Sequence, residues 1–137
     1  MKILVPTDGS ASALRALKYA DKLAADHAKS AVIALSVHDH PSSFEGCAKA
    51  ALDHDVLEVG ETDVKVLRVS SDKPGTWSEM PITAMHVAQE IVKIAESGGF
   101  DLIVMGAKGR SSLCDLVMGS VAQKVVGGTR LPVTLVK

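Results

Sequence analysis

Five positions carry the chemistry most plainly written in this chain: Gly106, Gly109, Gly119 and Ser120 towards the carboxyl end, and Asp8 near the amino terminus. The apolar block Leu102 to Met105 has the length and branching of a buried strand and then breaks into glycine. After Gly119, Ser120 opens an apolar segment with helical spacing. Strand, glycine turn and helix start together suit an anion. Glycine lets backbone approach a phosphate with no Cβ in the way, and the unpaired N–H groups of a helix's first turn point at negative charge. Asp8 follows another short apolar strand, Ile3 to Val5. A carboxylate there would repel a bare phosphate but suits a ribose hydroxyl, or a magnesium ion that phosphates share.

Competing readings of the same residues stay open on this evidence. Glycines between a strand and a helix often serve only to turn the chain, and Asp8 could cap the helix that follows it. Lys108 and Arg110 could screen phosphate charge or simply be solvated. The commoner nucleotide signatures are missing: there is no GxxxxGK[ST], and no GxGxxG follows the first strand. His38 and His40 share one side of an extended segment and could reach one ion, but no third ligand has a predictable position. Cys114 has no identified activating partner, and no Ser, His and Asp set stands at a recognised spacing. Phosphate donors without an evident general base favour binding over fast turnover. The alternatives are slow hydrolysis of the bound phosphate compound, self-phosphorylation at Ser111, Ser112 or Ser120, or an interaction protein with an empty cleft.

The elements that must position these residues can be read in order. Ser10 is the N-cap candidate for a helix from 11 to about 28, whose apolar face is Ala13, Ala16, Leu17, Ala20 and Ala24. Ala31 to Val37 is a second strand, apolar on both faces as a parallel sheet requires. A helix from about Phe44, a third strand at Val64 to Val69 and an aperiodic loop at Ser70 to Pro81 come next. Lys65 and Arg68 put that third strand near an edge. A helix on Ala84, Val87, Ala88, Ile91 and Ala95 stops at Ser97-Gly98-Gly99. The helix after Ser120 carries Ala122, Val125 and Val126, and Val133 to Val136 is the last strand. Strands alternating with helices predict an α/β fold with an open parallel sheet, which binds ligands where strand order reverses.

The chain has 137 residues, enough for one domain with a core of its own. With 15 basic and 16 acidic residues, it lacks the charge excess that nucleic acid or an anionic membrane would demand. Cys47 and Cys114 form no metal-ligand spacing and suit a reducing compartment, and no apolar run approaches the roughly 20 residues of a membrane span. A cytoplasmic protein is expected.

The run Gly106, two residues, Gly109, nine residues, Gly119-Ser120 is preceded by DLIVMG and followed by SVAQKVV. Together with the opening KILVPTDGS and the closing LPVTLVK, it resembles the ATP-binding branch of the universal stress proteins. The resemblance covers both ends and the last third of the chain. It implies a single domain over residues 1–137 with a five-stranded sheet in the order 3-2-1-4-5 and helices on both faces, the adenine nucleotide alpha hydrolase-like fold. It also implies an ATP cleft between strands 1 and 4, and homodimers through the last strand, Val133, Leu135 and Val136. Carried over, Pro6, Thr7 and Asp8 flank the adenosine and its Mg2+, and Val37 meets the adenine. Met105, Gly106, Gly109, Gly119, Ser120 and Val121 line the phosphate side. The middle third departs from the pattern: KPGTWSEMPIT stands where the family has a short loop, leaving Trp77 as lid, partner anchor or packing residue.

Overall fold

The computed structural model describes residues 1–38, 64–70, 84–109 and 118–137. Five strands, β1 (Lys2–Pro6), β2 (Ala31–His38), β3 (Val64–Ser70), β4 (Leu102–Gly106) and β5 (Val133–Val136), form one sheet in the order β3-β2-β1-β4-β5. Every pairing is parallel. The described helices are α1 (Ala11–Ala25), α2 (Ala84–Ser97) and α3 (Ser120–Gly128). This is the expected α/β sheet and order, with β3 at an edge. The helix from Phe44, the loop with Trp77, both cysteines, His40 and residues 110–117 lie outside the described residues.

Period-two alternation explains why β1, β2 and β4 are apolar along most of their length. Ile3, Val5, Val32, Ala34 and Val104 point to one face, where they meet Ala16, Leu17, Ala20 and Ala24 of α1. Leu4, Ile33, Leu35, Ile103 and Met105 point to the other, against Ala88, Ile91 and Ala95 of α2 and Ala122 and Val125 of α3. β1, β2 and β4 thus bury both faces between helices. Val126 is a correction to the expected apolar face of α3: it is 43% exposed, because the nine-residue helix turns Ala122 and Val125 to the core and leaves Val126 outside that arc.

The helix ends follow local chemistry. The Ser10 hydroxyl accepts from the Ala13 N–H at 3.2 Å and caps α1, which ends at Ala25, earlier than the expected 28. Past α2, Gly99 takes the left-handed φ of 64°, and the Phe100 N–H reaches back to the Ala95 carbonyl. That closes the helix in a Schellman turn and drops the Phe100 ring into the core.

Candidate nucleotide cleft

The sheet itself opens the cleft. β1 and β4 are paired only at Ile3 with Leu102 and Leu4 with Ile103. Beyond that, β1 leans the other way, and the Thr7 N–H donates to the Leu35 carbonyl of β2 at 2.8 Å. Strand order reverses here, since the chain leaves β1 for β2 on one side and returns to β4 on the other.

One wall is the turn after β1. Pro6 is buried at the strand end, Thr7 is half-buried, and Asp8 is exposed. The Thr7 hydroxyl accepts from the Gly9 N–H at 3.3 Å, and the Asp8 Oδ1 accepts from the Ser10 N–H at 2.9 Å. Gly9 has φ 75°, a conformation that only glycine adopts cheaply. Ser10, and not Asp8, is therefore the N-cap, and the carboxylate of Asp8 sits one step outside the helix. Val37 lies near the end of β2, in register with Val69 of β3, and its half-buried side chain packs on the α2 and α3 side of the core.

The other wall is the turn after β4. The Ala107 N–H donates to the Val136 carbonyl, and the Ala107 carbonyl accepts from the Gly119 N–H, each at 2.8 Å. One buried alanine thus joins the last strand to the start of α3. A Cβ on Gly119 would stand 3.4 Å from the Ala107 oxygen, the Gly109 nitrogen and the Lys108 Cα. A Cβ on Gly109 would stand 3.1 Å from the Asp8 Oδ2, so this glycine faces the opposite wall. Neither glycine has a positive φ. What glycine provides at these two positions is room at the mouth of the turn, tightest at Gly109 against the Asp8 carboxylate, and not chain reversal.

Gly106 has a different neighbour. Its Cβ would meet the Ser12 Oγ at 2.5 Å, the Ser12 carbonyl carbon at 2.9 Å and the Ala13 nitrogen at 3.0 Å. Its lack of a side chain seats α1 on β4. Met105 is 5% exposed and packs in the core, beneath the site. Gly119 is the N-cap of α3 and supplies no side-chain cap, in contrast to Ser10 at α1. Ser120 is exposed in the first turn, and Val121 packs partly against the core. The α3 N-terminus and the 107–109 turn therefore form one backbone-lined surface opposite Asp8.

Two residues that sequence reasoning passed over matter here. Ser12 is 7% exposed and donates its hydroxyl to the Val136 carbonyl at 3.1 Å. Asp21, also on α1, is 6% exposed, and its Oδ1 has no hydrogen-bond partner among the described residues. The only hint of either was a polar residue beside the alanine face of α1. Among the described residues no group of three His, Cys, Asp or Glu could hold a metal, and no helix is long and apolar enough to cross a membrane. His27, just past the end of α1, and His86, on α2, are exposed.

The family model described as the universal stress protein family matches residues 1–137. The chain belongs to that family. Universal stress protein MJ0531 of Methanocaldococcus jannaschii is 33% identical over 99% of this chain and 81% of its own length. Among solved structures, the hypothetical protein MJ0577, subject of a structure-based assignment of biochemical function, superposes with a TM-score of 0.72. It is 28% identical, over 99% of this chain and 94% of that one. A universal stress protein in complex with cAMP superposes at 0.67 with 25% identity, over 100% of this chain and 96% of that one. The family and the fold therefore stand as the resemblance implied.

Proposed function

We propose that this universal stress protein is an ATP-binding module of the cytoplasm whose nucleotide occupancy regulates a partner. It would act as a single domain that pairs with a second copy through β5. The observation that carries the reading is the face-to-face placement of Asp8 and Gly109 across the reversal point, with Gly119 and the start of α3 behind Gly109. The cAMP-bound relative supports an adenine nucleotide as the ligand class. In this reading Thr7, Asp8 and Val37 take the adenosine. The backbone N–H groups of Gly109, Ser120 and Val121 take the phosphates, Gly119, whose own N–H is held by the Ala107 carbonyl, gives the backbone room to approach, and Pro6, Met105 and Gly106 shape the floor.

The donor set also fits a magnesium ion shared with the phosphates. Asp8 is an exposed carboxylate opposite the phosphate wall and would hold the ion there. The ion would supply charge neutralisation. Calorimetric titration with ATP, with and without Mg2+, tests the proposal. Saturable binding is expected, about ten-fold tighter with Mg2+, and Asp8→Asn should remove that enhancement. No heat of binding, together with no adenine nucleotide released by the denatured protein, would refute it. Incubation with γ-labelled ATP separates binding from the enzymatic alternative, in which inorganic phosphate or labelled protein appears.

A further inference from the structure

The oxygen of the Val136 carbonyl accepts two hydrogen bonds that come from opposite sides of the cleft. The Ala107 N–H reaches it at 2.8 Å from the β4 turn, and the Ser12 hydroxyl reaches it at 3.1 Å from the first turn of α1. Ser12 belongs to the Asp8 wall: Asp8 holds the Ser10 N–H, Ser10 caps α1 on Ala13, and Ser12 lies between those two residues. Ala107 belongs to the phosphate wall, because its own carbonyl holds the Gly119 N–H. The Ser12 hydroxyl is 93% shielded from solvent with its residue and lies directly over Gly106. A polar group at that depth needs a partner, and this one spends its bond on a single atom at the rim of the sheet.

We propose that Ser12 is a positioning residue that fixes the width of the cleft by pinning the Asp8 wall to the same carbonyl oxygen that holds the phosphate wall. The inference rests on the nucleotide reading above. A ligand that touches both walls, such as ATP, depends on their spacing. A ligand that touches only the Asp8 wall, such as adenosine, does not. Ser12 thereby contributes to selection of the nucleotide over the nucleoside without touching either.

Ser12→Ala removes one pin and leaves no orphan, since Ala107 still satisfies the Val136 carbonyl. Arg15→Ala is the matched control: Arg15 also ties α1 to the chain end, through Nε to the Lys137 carbonyl at 2.8 Å, but it is outside the shared oxygen. ATP and adenosine affinities are measured on the full chain by competition against a fluorescent ATP analogue, and the ligand-free proteins are melted by circular dichroism. The expected result is an ATP affinity about ten-fold lower in Ser12→Ala, adenosine affinity within about two-fold of the parent, and both unchanged in Arg15→Ala. Equal loss for both ligands, or no loss for ATP, would overturn the proposal. A parent protein that binds neither ligand would sink the nucleotide reading along with it, a different and recognisable outcome.

Discussion

Gly106→Ala separates a steric seat from a ligand contact. The added Cβ would stand 2.5 Å from the Ser12 hydroxyl oxygen, which can rotate away, but also 2.9 Å and 3.0 Å from two backbone atoms of α1, which cannot. The first turn of the helix must lift from β4. Overpacking of this kind costs about 1–3 kcal/mol. Gly106 is outside the positive-φ region, so alanine also restricts the unfolded chain and returns about 0.4–1 kcal/mol. The midpoints of the two ranges leave a net loss of about 1.3 kcal/mol. At about 2.1 cal/mol/K per residue, a chain of 137 residues unfolds with an entropy of about 0.29 kcal/mol/K, so the melting temperature should fall by about 4–5 °C. Ligand-free protein followed by circular dichroism and calorimetry gives the answer without any nucleotide. If the variant melts at or above the parent temperature, only the entropic gain is operating and the contact between α1 and β4 has been misjudged.

Other substitutions divide stability from binding. Gly109→Val places a branched side chain against Asp8 and should lower ATP affinity at least about ten-fold, read by calorimetry, while the ligand-free melting point stays within about 3 °C. Ser10→Ala deletes the cap on α1 and should cost about 1 kcal/mol, or about 3–4 °C in a thermal melt. Asp21→Ala should add about 1 kcal/mol of stability, read as a higher urea midpoint, because a buried oxygen without a partner among the described residues is removed and alanine favours the helix. A lower midpoint would show that the carboxylate contributes more than its unpartnered oxygen suggests.

The architecture was legible because its signals are local and repeated. Ala13, Ala16, Ala20 and Ala24 of α1 recur at helical spacing and all four are buried, and the described strands fall where the strand patterns lie. The walls of the cleft were legible for the same reason, as turn chemistry at strand ends. What escaped was anything set by distant pairs. Gly106 looks like its fellow glycines in the motif, yet its neighbour is Ser12, brought against it by the packing of a helix from the other end of the chain. Ser12 and Asp21 are polar residues flanking an apolar face, a pattern that usually means a solvated border. Their burial depends on how α1 is rotated over the sheet, which spacing alone leaves undetermined. Val126 fails in the opposite sense, since a short helix can bury only a narrow arc.

The contact between β1 and β4 has a consequence for how the protein is made. The Lys2 N–H reaches the Asp101 carboxylate across 99 positions of sequence, and Ser12 reaches Val136 across 124. During synthesis the first wall and α1 emerge early, while the opposing wall exists only after Gly119 and β5 have left the ribosome. No nascent fragment that stops short of those residues has a two-sided cleft. Loop closure over such separations is slow compared with the forming of helices, so the site is among the last features to assemble. A ligand that needs both walls therefore recognises only chains in which β5 has been made and paired, and by mass action it holds those folded.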